Sequence, residues 1–215
     1  MTIQLTAYNW VPPFAQGYVR DLRVRWALEE AGLPYRTILL DPRDKPADYR
    51  AWQPFNQVPA YRDDEVEMFE SGAIVLHLAE KSEALAPRDP KGWARATTWV
   101  VAALNSIEPV VMELAQITLF HKGEAWTEER RPQVEAFLHQ RLKGLADCLG
   151  DKDWLEGRFT AGDLIMVTVV RELKSSGLIE AYPNLKAYMA RGEARPAFVR
   201  AMGAQMQAFR EPQPA

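Results

Sequence analysis

Two short stretches of this chain carry residue types suited to holding a small peptide. The first is Pro54-Phe55-Asn56-Gln57-Val58-Pro59-Ala60. A proline at the start of a strand is tolerated because its missing donor falls where the ladder begins. A cis Val58–Pro59 bond would turn the backbone N–H and C=O of Val58 toward a ligand, where they can pair with an extended peptide as a neighbouring strand does. An ordinary edge-strand proline fits the same letters. The second stretch is Phe69-Glu70-Ser71-Gly72-Ala73-Ile74. Ser71 stands where a helix begins, so its hydroxyl and the free N–H groups there can hold a carboxylate. Glu70 beside it can pair with an ammonium group. A carboxylate and an ammonium on one carbon form the head of a free amino acid. Here too a bland reading exists, a plain serine N-cap. The two stretches stand twelve positions apart with a hairpin between them, and the combination is more specific than either part.

The elements that must position these residues follow from period and punctuation. Ile3–Tyr8 reads as a strand, followed by a Pro-containing loop over Asn9–Gly17. Tyr18–Ala31 reads as a helix with Val19, Leu22, Val24, Trp26 and Leu28 at its apolar positions, stopped by Gly32 and Pro34. Tyr35–Leu40 is a second strand, and the polar segment Asp41–Ala51 a loop with at most a turn of helix. Val58–Arg62 and Val66–Phe69 form a hairpin across Asp63-Asp64-Glu65, and Ser71 opens a helix to about Ala79. This order, a βαβ unit followed by ββα, describes an α/β domain over 1–80. Residues 81–92, charged and holding Pro87 and Pro90, form a linker, and 93–215 is helical in period throughout. Helices are expected over Trp93–Phe120 with a bend at Pro109, over Glu128–Leu149, over Thr160–Ser175, and in two shorter pieces, Leu185–Met189 and Pro196–Phe209.

Composition narrows the function classes. The chain has 215 residues, 47% of them apolar and 26% charged, with a formal net charge of -3. A nucleic-acid binder should be markedly basic, so none is expected as a partner. No apolar run of roughly 18 residues stands out, and no bilayer span is expected. The N-terminus lacks a basic segment followed by an apolar one, so the expected address is the cytoplasm. Cys148, the single cysteine, builds neither a disulfide framework nor a CxxC pair and reads as a buried thiol. His77, His121 and His139 lack ligand spacing, and no metal is expected.

With these elements in place, the chain resembles the cytosolic glutathione S-transferase family over nearly its whole length. The resemblance rests on the two stretches above and on Leu22-Arg23-Val24-Arg25-Trp26-Ala27-Leu28-Glu29-Glu30-Ala31-Gly32-Leu33-Pro34-Tyr35, which matches the family's first helix and its exit. Phe159-Thr160-Ala161-Gly162-Asp163 resembles its buried capping motif, and Tyr182-Pro183-Asn184-Leu185 with Ala194-Arg195-Pro196-Ala197 its closing segment. The resemblance implies an α/β thioredoxin-like N-terminal domain plus an all-α C-terminal helical domain. It implies glutathione as co-substrate, a small hydrophobic electrophile as the second substrate, and a homodimer. Carried across residue by residue, Val58 pairs with the cysteinyl backbone of glutathione, and Glu70 and Ser71 bind its γ-glutamyl head. Lys45 is a candidate for the glycine carboxylate.

The pattern departs at the group that holds the glutathione sulfur, a Ser, Cys or Tyr in many classes. Counting back from Val24 puts that position on Tyr18; counting from the end of the first strand puts it on Tyr8. The long loop between them favours the count from the helix, and so Tyr18. No Ser or Cys lies between them, so disulfide exchange through a protein thiolate is disfavoured. A free thiol has a pKa of about 8.5, so the enzyme must favour the anion, which a tyrosine hydroxyl or the start of the first helix can do. The electrophile is expected in a pocket between the domains lined by Trp10, Phe14 and Tyr18 of the loop, with Asn105 and Met112 from the long helix; core packing is the bland reading of the aromatics, and it fits Trp10 as well. Two other functions use the same fold: a glutathione-binding protein with little catalysis, and a glutathione-dependent isomerase or dehalogenase.

Overall fold

The computed structural model describes residues 2–209. They fall into two compact units. The first joins the chain up to Arg88 with the residues from Ala194 onward, and the second is Asp89–Glu193.

The first unit is built on a four-stranded mixed sheet. β1 (Ile3–Tyr8) lies between β2 (Tyr35–Leu40), which is parallel to it, and β3 (Ala60–Arg62), which is antiparallel; β4 (Glu67–Phe69) forms the far edge. β3 and β4 are shorter than their apolar letters suggest, because Pro59 has no N–H to give and pairing starts at Ala60. The side chain of Asp63 shapes the hairpin turn by accepting from the N–H groups of Glu65 (2.8 Å) and Val66 (2.9 Å). α2 is a single turn, Tyr49–Trp52, and α3 runs over Ser71–Lys81. This order of strands and helices is the thioredoxin-like arrangement.

α1 spans Asp21–Ala31, not Tyr18–Ala31. Three-residue turns precede it, with Tyr18 N–H on the Ala15 carbonyl and Leu22 N–H on that of Val19, so the α register is reached only at Asp21. Gly32 ends the helix at φ 66°, a left-handed cap. Every residue from Asp21 to Leu28 is buried, including three charged ones. The helix is covered by α3 on one side and by the last helix of the chain on the other. Asp21 and Arg25 answer their desolvation by pairing at 2.7 Å one turn apart. The last helix, Pro196–Ala208, thus belongs by packing to this first unit, whereas the division by sequence groups it with 93–215. Phe198 meets Trp26 edge-on at 4.9 Å, Gln205 donates to Asp21 Oδ1 at 2.7 Å, and Arg195 holds Glu30 at 2.6 Å.

In the second unit every regular element among the described residues is helical. One helical run covers Pro90–Phe120: α4 (Pro90–Ala102), a π-helical turn over Ala103–Ile107, α5 (Glu108–Ala115) and a second π turn over Gln116–Phe120. Pro109 lacks the N–H and crowds the carbonyl four residues back, and the wider turn just before it relieves the crowding. By length and composition alone this run is apolar enough to cross a membrane, which the sequence reading did not anticipate. Its buried residues Ala96, Val100, Ala103, Ile107, Val110, Val111, Leu114 and Ile117 follow a helical stripe packed on neighbouring helices, as in a core helix. α6 is Ala125–Leu149; its buried stripe is Val134, Leu138, Leu142, Leu145 and Leu149, and Cys148 falls beside that stripe and is exposed, contrary to expectation.

α7 (Ala161–Val170) starts at the expected box: Asp163 accepts from the Thr160 N–H at 2.9 Å while the Thr160 hydroxyl accepts from Gly162 at 3.2 Å. Asp163 also takes the Leu155 N–H and the Tyr188 hydroxyl. A side chain at Gly162 would meet Cβ of Trp99 at 2.4 Å, so only glycine allows α7 to approach α4 this closely. α8 covers Pro183–Glu193, and the helix in the first unit over Pro196–Ala208 is α9.

Candidate functional site

The site residues of the first unit gather at the C-terminal end of β1. Val58–Pro59 is a cis peptide bond. Among the described residues no backbone hydrogen bond uses the N–H or carbonyl of Val58. The segment around it is held instead by side chains that the sequence reading did not single out. The Ala60 N–H donates to Thr6 Oγ1 at 2.7 Å, and the Tyr49 hydroxyl donates to the Gln57 carbonyl at 2.7 Å. Thr6 Oγ1 and the Tyr49 oxygen are 2.9 Å apart. Tyr49 has one proton and gives it to Gln57, so Thr6 is the donor between the two hydroxyls. The result is an unbroken chain from Ala60 through Thr6 and Tyr49 to Gln57, straddling Val58. Burial pushes the Tyr49 phenol up to about 12, which keeps that proton in place.

Glu70 and Ser71 stand at the start of α3, as the sequence placed them. Glu70 occupies the N-cap at φ 68°, ψ 111°, a backbone conformation uncommon for a residue with a side chain. Its side chain is exposed and makes no capping bond. Ser71 is the first helical residue and is buried, so the N–H groups of the first turn lie beside its hydroxyl. A hydroxyl donor, free amides and the positive end of a helix favour a carboxylate here, and Glu70 next to them favours an ammonium.

Tyr8 ends β1 half-buried and packs on the cluster of Leu40, Tyr49, Val58 and Ala60. Burial, and then the charge of Asp21, hold its phenol above the ordinary value, so it stays protonated near neutral pH. The Lys45 ammonium sits 5.1 Å from the centre of its ring and donates to the Pro42 carbonyl at 2.9 Å. Burial pulls the Lys45 pKa down. Tyr18 lies three residues ahead of α1, not in its first turn, and is 37% exposed. Trp10 and Phe14 are exposed on the β1–α1 loop, Trp10 under the Arg43 guanidinium at 5.3 Å. Asn105 and Met112 belong to the second unit, exposed and half-buried respectively.

One cluster of metal-ligand types exists among the described residues. Asp63, Glu65 and His77 have ligand atoms within 4.8 Å of one another. Lys81 Nζ lies 2.7 Å from Glu65 and 3.4 Å from Asp63, and Asp63 already accepts from Tyr61, His77 and two amides. The group is therefore an ion-pair network with a cation supplied by the protein.

Comparison with known proteins identifies the family. Residues 21–87 match the model of the glutathione S-transferase N-terminal domain. Glutathione S-transferase GstA of Escherichia coli O157:H7 is 30% identical over 194 residues, which span 83% of this chain and 90% of that protein. The chain belongs to the glutathione S-transferase family. A glutathione S-transferase of Hyoscyamus muticus is 27% identical over 84% of this chain and 92% of its own. Among solved structures, a glutathione transferase of Burkholderia graminis, with two glutathione molecules bound per subunit, superposes with a TM-score of 0.82 at 27% identity. It covers 94% of this chain and 88% of that one. The transferase resemblance read from Val58, Glu70 and Ser71 is thus matched along most of the chain.

Proposed function

We propose that this protein is a glutathione transferase that binds glutathione on its first unit, favours the thiolate and transfers it to a small hydrophobic electrophile. The observation that carries this reading is the pairing of an amino-acid head site with an unbonded strand-like edge. Glu70 and Ser71 offer an anion and an anion-binding helix start, and Val58 offers a free amide and carbonyl to the next residue of the peptide.

In this reading the Ser71 hydroxyl and the first-turn amides of α3 take the head carboxylate, and Glu70 takes the ammonium. Val58 aligns the cysteinyl residue, and Lys45 meets the glycine carboxylate. Tyr8 donates to the sulfur: its phenol is protonated and packs in the same cluster as Val58, whereas Tyr18 stands in the turn ahead of α1. A hydrogen bond to the anionic form lowers the thiol pKa and raises the fraction of nucleophile. The thiolate then forms a carbon–sulfur bond to the electrophile and the halide or other leaving group departs with its electron pair. Trp10 and Phe14, exposed beside the end of β1, supply apolar contact to the electrophile. We further propose a two-fold homodimer acting in the cytoplasm, without metal.

Conjugation of glutathione to an aromatic halide, followed by product absorbance, tests the activity. Ser71→Ala should weaken glutathione binding by about 1–3 kcal/mol, since bonds to charged groups are worth about that. Wild-type affinity in Ser71→Ala would remove the head-site assignment. Glutathione binding with no conjugation of any halide would remove the catalytic one.

A further inference from the structure

Arg23 has no part in the chemistry above, yet it lies directly behind it. It is on α1, 2% exposed, and its NH1 donates to Ser71 Oγ at 3.4 Å across 48 residues of sequence. A serine hydroxyl has one proton and two lone pairs. With a guanidinium donating into the oxygen, the hydroxyl proton cannot point at Arg23 and must be directed away from it. An oxygen that accepts from a cation also becomes a better donor, because bonds in a chain polarise one another.

We propose that Arg23 is a positioning residue for the α-carboxylate of glutathione: by donating into the Ser71 oxygen it fixes the Ser71 hydroxyl as a donor toward that carboxylate. The inference rests on reading Glu70 and Ser71 as the γ-glutamyl head site. It goes further by assigning discrimination for the head carboxylate to a residue of α1 that need not touch glutathione.

A buried arginine between α1 and α3 would also brace the two helices, so the test must separate positioning from support. Arg23→Met, Arg23→Gln, Arg23→Lys and Ser71→Ala are made in the full chain, with the double variant Arg23→Gln/Ser71→Ala. Calorimetry then gives the affinity of each for glutathione and for γ-aminobutyryl-cysteinyl-glycine, which is glutathione without its head carboxylate. The ratio of the two affinities is internal to the folded fraction and does not depend on stability. Arg23→Met and Arg23→Gln should lower this ratio about tenfold, equivalent to about 1.4 kcal/mol, while affinity for the truncated peptide stays at the wild-type value. Arg23→Lys should restore more than half of the ratio, since it returns a cationic donor to the Ser71 oxygen. The double variant should fall no more than about twofold below Ser71→Ala, because both changes act through one hydroxyl. If Arg23→Met does not fold, Arg23→Gln decides. A wild-type ratio in Arg23→Gln, with a collapsed ratio in Ser71→Ala, overturns the role of Arg23 and leaves the head site standing. A wild-type ratio in both overturns the head site as well.

Discussion

Glu70 holds a backbone conformation that its side chain does nothing to repay, and this makes a sharp prediction. At φ 68° and ψ 111° it lies outside the small left-handed region that side-chain-bearing residues visit. Such a conformation costs about 1–3 kcal/mol and persists where the surrounding fold dictates it. The side chain is exposed and caps nothing, so no local bond offsets the cost. Glycine has no Cβ and takes a positive φ at lower cost, but loses about 0.5–1 kcal/mol more backbone entropy on folding. Glu70→Gly should therefore raise the unfolding free energy by about 1 kcal/mol, the difference between the middles of the two ranges. Glu70→Ala keeps the Cβ and the strain, and should stay within about 0.5 kcal/mol of the wild type. Both variants lose the carboxylate that we propose meets the ammonium of glutathione. A charge-assisted bond at an exposed group falls at the low end of its range, so both should bind glutathione about tenfold more weakly. Urea unfolding and titration calorimetry on the three proteins give the signature: stabilities that separate and affinities that coincide. If Glu70→Gly is no more stable than Glu70→Ala, the strain argument is wrong. If both bind glutathione like the wild type, the ammonium assignment is wrong.

Three further outcomes are expected. Tyr8→Phe should raise the apparent pKa of bound glutathione toward its free value of about 8.5, read from thiolate absorbance against pH, with affinity almost unchanged; Tyr18→Phe should leave it in place, and the reverse result would move the role to Tyr18. Thr6→Val leaves the buried Ala60 N–H without its acceptor and should cost about 1–3 kcal/mol of stability in urea, with weaker glutathione binding as the Gln57–Ala60 segment loosens. Asp63 has its carboxyl held well below the usual range: burial pushes it up, but the bonds from His77, the Glu65 and Val66 amides and Tyr61 outweigh burial. Its folded pKa is thus below its unfolded value of about 3.9, so its contribution is complete above that value and is lost as pH falls toward the folded one. Asp63→Asn should flatten the decline of the urea midpoint as pH falls below about 4, and an unchanged slope there would contradict the network.

What the sequence discloses about this protein depends on how far each residue lies from its partner. The Thr160–Asp163 box, the Gly32 cap and the start of α3 at Ser71 are each decided within one helical turn, and each stands where its letters put it. The switch from period 2 to period 3.6 near residue 80 is equally local. The start of α1 is not. Gln205, 184 positions further on, bonds both the Val19 carbonyl and Asp21, and the charged residues of α1 are buried because α9 covers them. No window around Tyr18 contains that information, and an amphipathic count there runs the helix three residues too early. The chain Ala60–Thr6–Tyr49–Gln57 joins a strand, a one-turn helix and a loop, so its members look like a strand threonine and a loop tyrosine until the fold assembles them.

The residue facing the glutathione sulfur belongs to the same non-local group. Two counts, from β1 and from α1, disagree because Pro12, Pro13 and Gly17, the last at φ 82°, spend the intervening loop on tight turns that no offset predicts. Packing favours Tyr8, against the count from the helix that pointed to Tyr18. Tyr8 is fixed by β1, whose register is pinned by β2 and β3 on either side, so its phenol is delivered to the Val58 cluster with little freedom. Tyr18 is fixed only by a run of turns. A group that must sit within hydrogen-bond reach of one sulfur is better carried on the sheet than on the loop, because positional error there is smaller. That asymmetry, rather than the identity of either side chain, is why we propose Tyr8 for the thiolate role.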